Sequence, residues 1–283
     1  MKPPAPLKIT EPGKLLDFLL KHFAPMKRVK VVQILKHGSV RVNGRVVTLH
    51  RHGLKPGDRI EFLDRETAGN ERLKRDLGLK IVYEDDALIV VQKQAGLLTV
   101  SSEKEKEITL QLILNEYAPA FAVHRLDRDT SGLVIFAKTE TAKRTLQDNW
   151  EKVVKRYYAV TEGVPKEMTG TIRNKLFEDK FKRVFSSTRP GSRDAVTHYR
   201  VLHVNAPHAL LEITLETGRK NQIRVHLADL GCPVLGDAKY GAKTDPLGRL
   251  GLHACHLEFP HPVTGEKIVL VSKLPKGFEE LFR

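Results

Sequence analysis

With 283 residues and 41% hydrophobic content, the chain is long enough for one medium domain and a second, smaller one. No apolar run reaches the length of a membrane span, the opening residues carry no signal-peptide stretch, and Cys232 and Cys255 stand far apart outside any CxxC pair, so a reduced, cytoplasmic protein is expected. The formal net charge of +14 is uneven: residues 1–75 hold 17 Lys and Arg against 7 Asp and Glu. Such a basic segment fits a polyanion, most simply a nucleic acid. A membrane surface fits less well, because no long amphipathic helix carries both an aromatic and a lysine face.

Leu15, Leu16, Leu19, Leu20 and Phe23 recur at helical spacing, and Val31, Val32 and Leu35 predict a second short helix that stops before Gly38. Val40 to Val47 places Asn43-Gly44 between β-branched runs, a strong hairpin signal. The turn Lys55-Pro56-Gly57-Asp58 leads into a strand at residues 59–63. This order, with Lys27, Arg28, Lys30, Arg41 and Arg45 around the second helix and hairpin, resembles the S4 RNA-binding domain over roughly residues 13–63. The resemblance implies a small α+β module, residues 1–70, that holds RNA phosphates, with Lys27, Arg28 and Arg41 as substrate-binding cations and little reading of bases. Polar, aperiodic residues at about 64–78 read as a linker.

The second domain, residues 79–283, opens with two short strands around the acidic turn Glu84-Asp85-Asp86. Further strands are expected at 133–138, 153–161, 195–204, 208–216 and 252–259, with helices near 106–117, 139–151 and 219–230. Long strands with few βαβ intervals predict an α+β domain with a mainly antiparallel sheet. Between Phe121-Ala122-Val123 and Leu133–Ala137 lies the charged run His124-Arg125-Leu126-Asp127-Arg128-Asp129-Thr130-Ser131-Gly132. Taken alone, a charged run of this kind is most often a solvated turn; it is also where folds present reactive groups. A protein kinase catalytic loop is excluded, because no Gly-rich loop and no Asp-Phe-Gly accompany it.

Residues 124–133 resemble the HRLDxxTSGL motif of the RluA-type pseudouridine synthases, in which the aspartate is catalytic. Two more blocks carry the likeness. Lys155-Arg156-Tyr157-Tyr158-Ala159 matches an element with a tyrosine two residues before an alanine, which selects Tyr157. Strand alternation then turns Tyr158 to the opposite face. Thr217 to Leu227 is similar to GRxHQIRVH, with Asn221 where histidine is usual. The segments 236–241 and 252–257 fit later blocks of the family, and Gln94 stands where a proline is usual.

The resemblance implies the pseudouridine-synthase fold, a mixed, mainly antiparallel sheet with a central cleft, and an RNA uridine isomerase that uses no cofactor. It implies Asp127, Tyr157 and Arg224 as catalytic residues, with Arg224 holding Asp127 and Tyr157 stacking on the uracil and assisting proton removal from C5. Arg125, His124, Arg219 and Gln222 are expected to bind substrate, with Arg219 and Gln222 serving either the RNA or the strand-to-helix turn. Asp129 falls at a variable position of the motif. No metal is expected: His253, Cys255, His256 and His261 lack metal-ligand spacing.

An aspartate steadied by an arginine is a poor general acid but a competent nucleophile or electrostatic stabiliser at a sugar carbon. No second carboxylate has a pairing role, which argues against a two-acid glycosidase. The expected substrate is structured RNA with the target uridine flipped out, ribosomal RNA of the large subunit before the small, with transfer RNA as an alternative. A non-catalytic RNA-binding or ribosome-assembly protein and a base-removing hydrolase are the rival readings. A monomer is the default expectation.

Overall fold

The computed structural model describes residues 5–36, 39–47, 49–63, 77–101 and 107–283, and the chain divides into two compact units, Met1–Leu79 and Lys80–Arg283. Gly38, the expected helix stop, and most of the expected linker lie outside the described residues.

The first unit runs β1 (Leu7–Lys8), β2 (Gly13–Lys14), α1 (Leu15–His22), α2 (Arg28–Lys36), β3 (Val40–Val42), β4 (Arg45–Val46), β5 (Gly53–Leu54) and β6 (Arg59–Phe62). Strands order as β1-β6-β3-β4, all antiparallel, and β2 pairs with β5. The apolar periodicity of the helices becomes one core, in which Leu15, Leu19, Val31, Leu35, Val40 and Ile60 are buried. Asn43 (φ 51°) and Gly44 (φ 76°) both adopt left-handed backbone, as a two-residue hairpin turn requires. The Asn43 amide then ties the hairpin to β6 by donating to Asp58 Oδ1 (2.8 Å) and accepting from the Arg59 amide (2.9 Å). Lys27 and Arg28, at the start of α2, are exposed.

The second unit runs β7 (Ile81–Glu84), β8 (Leu88–Lys93), α3 (Leu110–Asn115), β9 (Phe121–Ala122), β10 (Ser131–Ala137), α4 (Glu140–Asp148), β11 (Val154–Glu162), β12 (Thr169–Glu178), β13 (Val184–Ser186), β14 (Arg193–Asn205), β15 (His208–Leu215), α5 (Gln222–Asp229), β16 (Leu252–Pro260), β17 (Lys267–Val271) and α6 (Lys276–Glu280). Its sheet is ordered β13-β12-β14-β15-β11-β16-β10-β8-β7, with β17 added to β16 and β9 to β10. Every pairing between these strands is antiparallel except β10 with β16, where Ser131 meets His253 and Gly132 meets Ala254. The expected α+β, mainly antiparallel sheet is therefore what forms.

All seven residues of β10 are buried, so this strand runs through the core rather than over it. One core cluster gathers Leu88, Val90, Leu133, Ile135 and Phe259, and α4 covers it with Ala142 and Leu146. On β11, Tyr157 and Ala159 join one cluster with Ile213 and Ile223, while Tyr158 and Val160 join another with Phe278. The expected helix near 106–117 is shorter, Leu110–Asn115, capped by the Thr109 hydroxyl. β12, β13, β17 and α6 were not anticipated. In β12 exposed and half-buried positions alternate, and its sequence TGTIRNKLFE lacks the apolar period that flags a strand.

Candidate active site

The charged run 124–130 fills the connection between β9 and β10 and brings Asp127 to the end of the sheet where the parallel pair begins. Its backbone is held on both sides of Asp127. Thr99 Oγ1 accepts from the Leu126 amide (3.1 Å) and donates to the Leu126 carbonyl (2.9 Å). The Arg128 carbonyl accepts from Lys93 Nζ (2.8 Å) and the Gly96 amide (3.0 Å). Lys93 is only 1% exposed and spends its other protons on the carbonyls of Gln94 (3.0 Å) and Leu97 (2.7 Å). Burial brings the Lys93 ammonium down to about 8, against the opposing pull of Asp129 and Asp127.

Asp127 meets Arg224 of α5, with Nη1 3.4 Å from Asp127 Oδ2. The guanidinium is oriented from behind by Asp237, which accepts from Nε (2.6 Å) and Nη2 (2.7 Å) in a bidentate pair. Arg224 also lies over the Tyr240 ring at 5.1 Å. Burial opposes the Arg224 charge, but the hydrogen bonds and charge of Asp237, with Asp127 behind them, outweigh it and raise its proton affinity. Asn221, with left-handed backbone (φ 54°), donates from Nδ2 to Tyr240 Oη (2.9 Å) and turns Oδ1 to Arg224 Nη1 (3.4 Å). Asparagine tolerates that backbone better than most residues.

Tyr157 pairs with Ala254 of β16, which in turn pairs with Gly132 of β10. Three adjacent strands thus carry Tyr157 into register with the start of the β10 strand that Asp127 precedes. Burial, then the charges of Asp127 and Cys255, push the Tyr157 phenol far above its ordinary value, so it is held neutral. Arg125, Asp127, Thr130, Tyr157, Arg219, Gln222 and Arg224 line one cleft of about 640 Å³, the size of a small-molecule or nucleotide pocket.

A carboxylate beside a fixed guanidinium and a neutral tyrosine, in a cleft with open cations, suits chemistry at a sugar carbon of a flipped nucleotide. Residues 87–229 match the model of a family described as RNA pseudouridylate synthase. The chain belongs to the RNA pseudouridylate synthase family. It is 35% identical to an uncharacterized RNA pseudouridine synthase, YhcT, of Bacillus subtilis, over 96% of this chain and 93% of that protein. It is 33% identical to ribosomal large subunit pseudouridine synthase D of Haemophilus influenzae, over 95% of this chain and 90% of that one. Among solved structures, human RNA pseudouridylate synthase domain containing 4 superposes with a TM-score of 0.62 at 27% identity, covering 77% of this chain and 95% of that one. The protein is an RNA pseudouridine synthase, an isomerase of the RluA-like type.

Not every residue named from the sequence reaches the cleft of this synthase. His124 is absent from the lining. Its Nε2 accepts from the Ile135 amide (3.1 Å), its ring lies against Trp150 (4.9 Å between centroids), and burial, then the Lys155 charge, push its pKa down to about 3. These contacts make His124 a neutral strut between the loop and β10. Gln222 lines the cleft, yet its amide is fully used. Oε1 accepts from Thr217 Oγ1 and the Arg219 amide (both 2.9 Å), and Nε2 donates to Val196 O and Thr197 Oγ1 (both 3.0 Å). Of its two expected uses, shaping the strand-to-helix turn is the one its bonds serve. Arg219 Nε donates to Asp194 O (3.0 Å), and the side chain stays exposed at the rim. Asp129 is exposed and outside the lining. Lys27, Arg28 and Arg41 belong to the first unit.

Sequence reasoning missed Asp237, Tyr240, Lys93 and Thr99. Asp237 and Tyr240 sit in the 236–241 block, already marked by likeness but given no role. Lys93 ends the apolar run of β8, and a lysine closing a buried strand is a signal that could have been read. The histidines considered for metal go elsewhere. Arg249 Nη2 donates to Ser131 Oγ (2.6 Å), which contacts His253 Nδ1 (2.6 Å), while His253 Nε2 reaches Ser272 Oγ (2.9 Å). His261 pairs with Asp85 at 2.9 Å.

Proposed function

We propose that the synthase isomerises uridine in ribosomal RNA of the large subunit, in the cytoplasm, with Asp127 as the catalytic carboxylate, Tyr157 under the uracil and Arg224 holding Asp127. The Asp127–Arg224 contact at 3.4 Å, aligned by the bidentate Asp237, is the observation that carries this reading. The choice of RNA rests on the relatives named ribosomal large subunit pseudouridine synthase D.

In the reaction the N1–C1′ bond of uridine breaks, C5 joins C1′, C5 loses its proton and N1 gains one. Substrate and product are isomers, so atoms and electrons balance without a redox partner or group donor. Asp127 meets the electron-poor sugar carbon during detachment, as nucleophile or as counter-charge. Its backbone is already fixed through Leu126 and Arg128, so little reorganisation accompanies the step. Tyr157 contributes its face to the uracil and, being neutral, a hydroxyl dipole. A phenol held well above its usual pKa is a poor base for the C5 proton, which weakens that part of the sequence-based expectation. Arg125, exposed on the cleft wall, steadies in this reading the RNA that the flipped uridine has left.

The first unit acts in this reading as an S4-like module. Exposed Lys27 and Arg28 at the start of α2, with Arg41 on β3, hold phosphates flanking the target and help offset the cost of flipping.

The test is Asp127→Asn. Tritium released from C5 of [5-³H]uridine RNA should fall by at least about a thousandfold, with RNA affinity within a few-fold of the parent. Release at an undiminished rate would exclude Asp127 chemistry, and free uracil in place of pseudouridine would mark a hydrolase. Mapping pseudouridines in total RNA from cells with and without the gene identifies the target.

A further inference from the structure

β12 and β13 form a hairpin whose turn, residues 179–183, stands at the rim of the active-site cleft: Glu178 and Lys182 are part of the cleft wall. Its tip exposes a phenylalanine. Phe181 is 69% exposed, with Lys180 Nζ 5.1 Å and the Arg183 guanidinium 6.0 Å from its ring centroid. The tip has a defined backbone. Asp179 Oδ1 accepts from the amides of Phe181 (2.8 Å) and Arg183 (2.9 Å), and the Lys182 amide donates to Asp179 O (3.0 Å). Lys182 takes the left-handed conformation (φ 64°) that reverses the chain. Lys220, next to Arg219, ties the hairpin to the cleft by donating to Glu178 Oε1 (2.7 Å) and Lys182 O (3.3 Å).

The charge around Phe181 selects its partner. Glu178 pairs with Lys220 (2.7 Å) and Lys182 (3.8 Å), and Asp179 accepts from backbone amides, which leaves Lys180 and Arg183, the cations beside the ring, to set its field. An acidic lipid surface also takes an aromatic group set among cations, but this tip stands at the rim of the cleft that binds RNA, so the partner nearest to it is the RNA itself. An aromatic face among cations, presented beside a nucleotide cleft, matches single-stranded nucleic acid, whose bases stack while its phosphates pair.

We propose that this tip is a nucleotide-stacking platform: Phe181 stacks on an unpaired base flanking the flipped uridine, and Lys180 and Arg183 hold the adjoining phosphates. The proposal rests on the synthase reading above and adds a specificity element to it. It accounts for a large apolar side chain left in water on a hairpin fixed by its own hydrogen bonds.

The experiment uses full-length protein and [5-³H]uridine-labelled total RNA from cells lacking the gene. Phe181→Ala should raise the RNA concentration for half-maximal tritium release about 5- to 100-fold, with the saturated rate within about threefold of the parent. Phe181→Trp should restore the parent value within about threefold, which a merely structural role would not predict. Lys180→Ala with Arg183→Ala should flatten the slope of log affinity against log salt by roughly 1.4, the change expected when two single-strand phosphates are no longer neutralised. Thermal melting should be unchanged in all three, because the side chains are on the surface. Half-saturation within twofold of the parent in Phe181→Ala, or a tryptophan variant as defective as the alanine one, overturns the platform. Parent enzyme that releases no tritium overturns the synthase reading itself, and the platform with it.

Discussion

Arg224 divides its guanidinium between two carboxylates of different exposure: Asp237, 1% exposed, takes two short bonds, and Asp127, 27% exposed, takes one at 3.4 Å. The buried partner sets direction, and the half-exposed one stays available to substrate. Removing the Asp237 charge leaves a largely buried arginine with Asp127 as its remaining carboxylate, and breaking a buried pair of this kind costs about 3–5 kcal/mol. Asp237→Asn should therefore lower the melting temperature and also reduce kcat, because Asp127 is drawn fully into pairing with Arg224. Loss of stability with kcat intact would show that Asp237 serves the fold alone. Tyr157 makes the complementary case: its register on β11 brings it to the cleft, while Tyr158 next to it packs against Val160 and Phe278.

At the scale of elements, the β10–β16 junction is the decisive contact. Gly132 has φ 119°, and a side chain there would overlap the backbone of Ala254. That close approach lets two antiparallel runs of the sheet join in parallel, and the join places the Asp127 loop beside the strands that carry Tyr157. Gly132→Ala combines an unfavourable backbone with a backbone clash, and should destabilise the protein by about 4 kcal/mol or more, read by urea unfolding. A change below about 1 kcal/mol would show that the junction relaxes easily. The helix of the third motif is anchored in the same way: His226 contacts Thr197 Oγ1 (2.9 Å) and Asn174 Oδ1 (2.7 Å), while Asn174 and Ser186 of the β12–β13 hairpin both reach Asp229.

At the scale of the whole molecule, buried neutral histidines couple stability to pH. Burial, then the charges of Arg249 and Lys80, lower His253 to about 4 from an ordinary 6.5, and burial also lowers His226. Between those values the unfolded chain binds more protons than the native one, so folding stability rises with pH. The contribution is fully present above about pH 6.5 and is lost as pH falls toward 4. For His253 it amounts to about 3 kcal/mol. Stability from urea titrations should fall across that window, and His253→Gln should shallow the slope. An equal slope in the variant would place the dependence in other groups.

The likeness in three separated blocks made the chemistry legible from sequence: Asp127, Tyr157 and Arg224 were named before any geometry, as were the central strands of the catalytic sheet and the Asn43-Gly44 hairpin. Local rules suffice for the strands and the hairpin, because apolar periodicity and turn chemistry act between neighbours in the chain, whereas the three residues rest on the likeness. Asp237, Lys93 and Thr99 were not legible as site residues, because each works through space on a backbone or guanidinium far along the chain. The strut formed by His124 was not legible for the same reason, since only packing turns its ring to Ile135 and Trp150. β12 and β13 escaped notice because their apolar contacts to the core, Ile172, Leu176 and Val184, are too sparse to leave a period in the sequence. Sequence determined the family and with it the reaction. The tertiary structure decided which groups share one cleft, because the parallel junction at Gly132 and Ala254 joins segments that no local pattern relates.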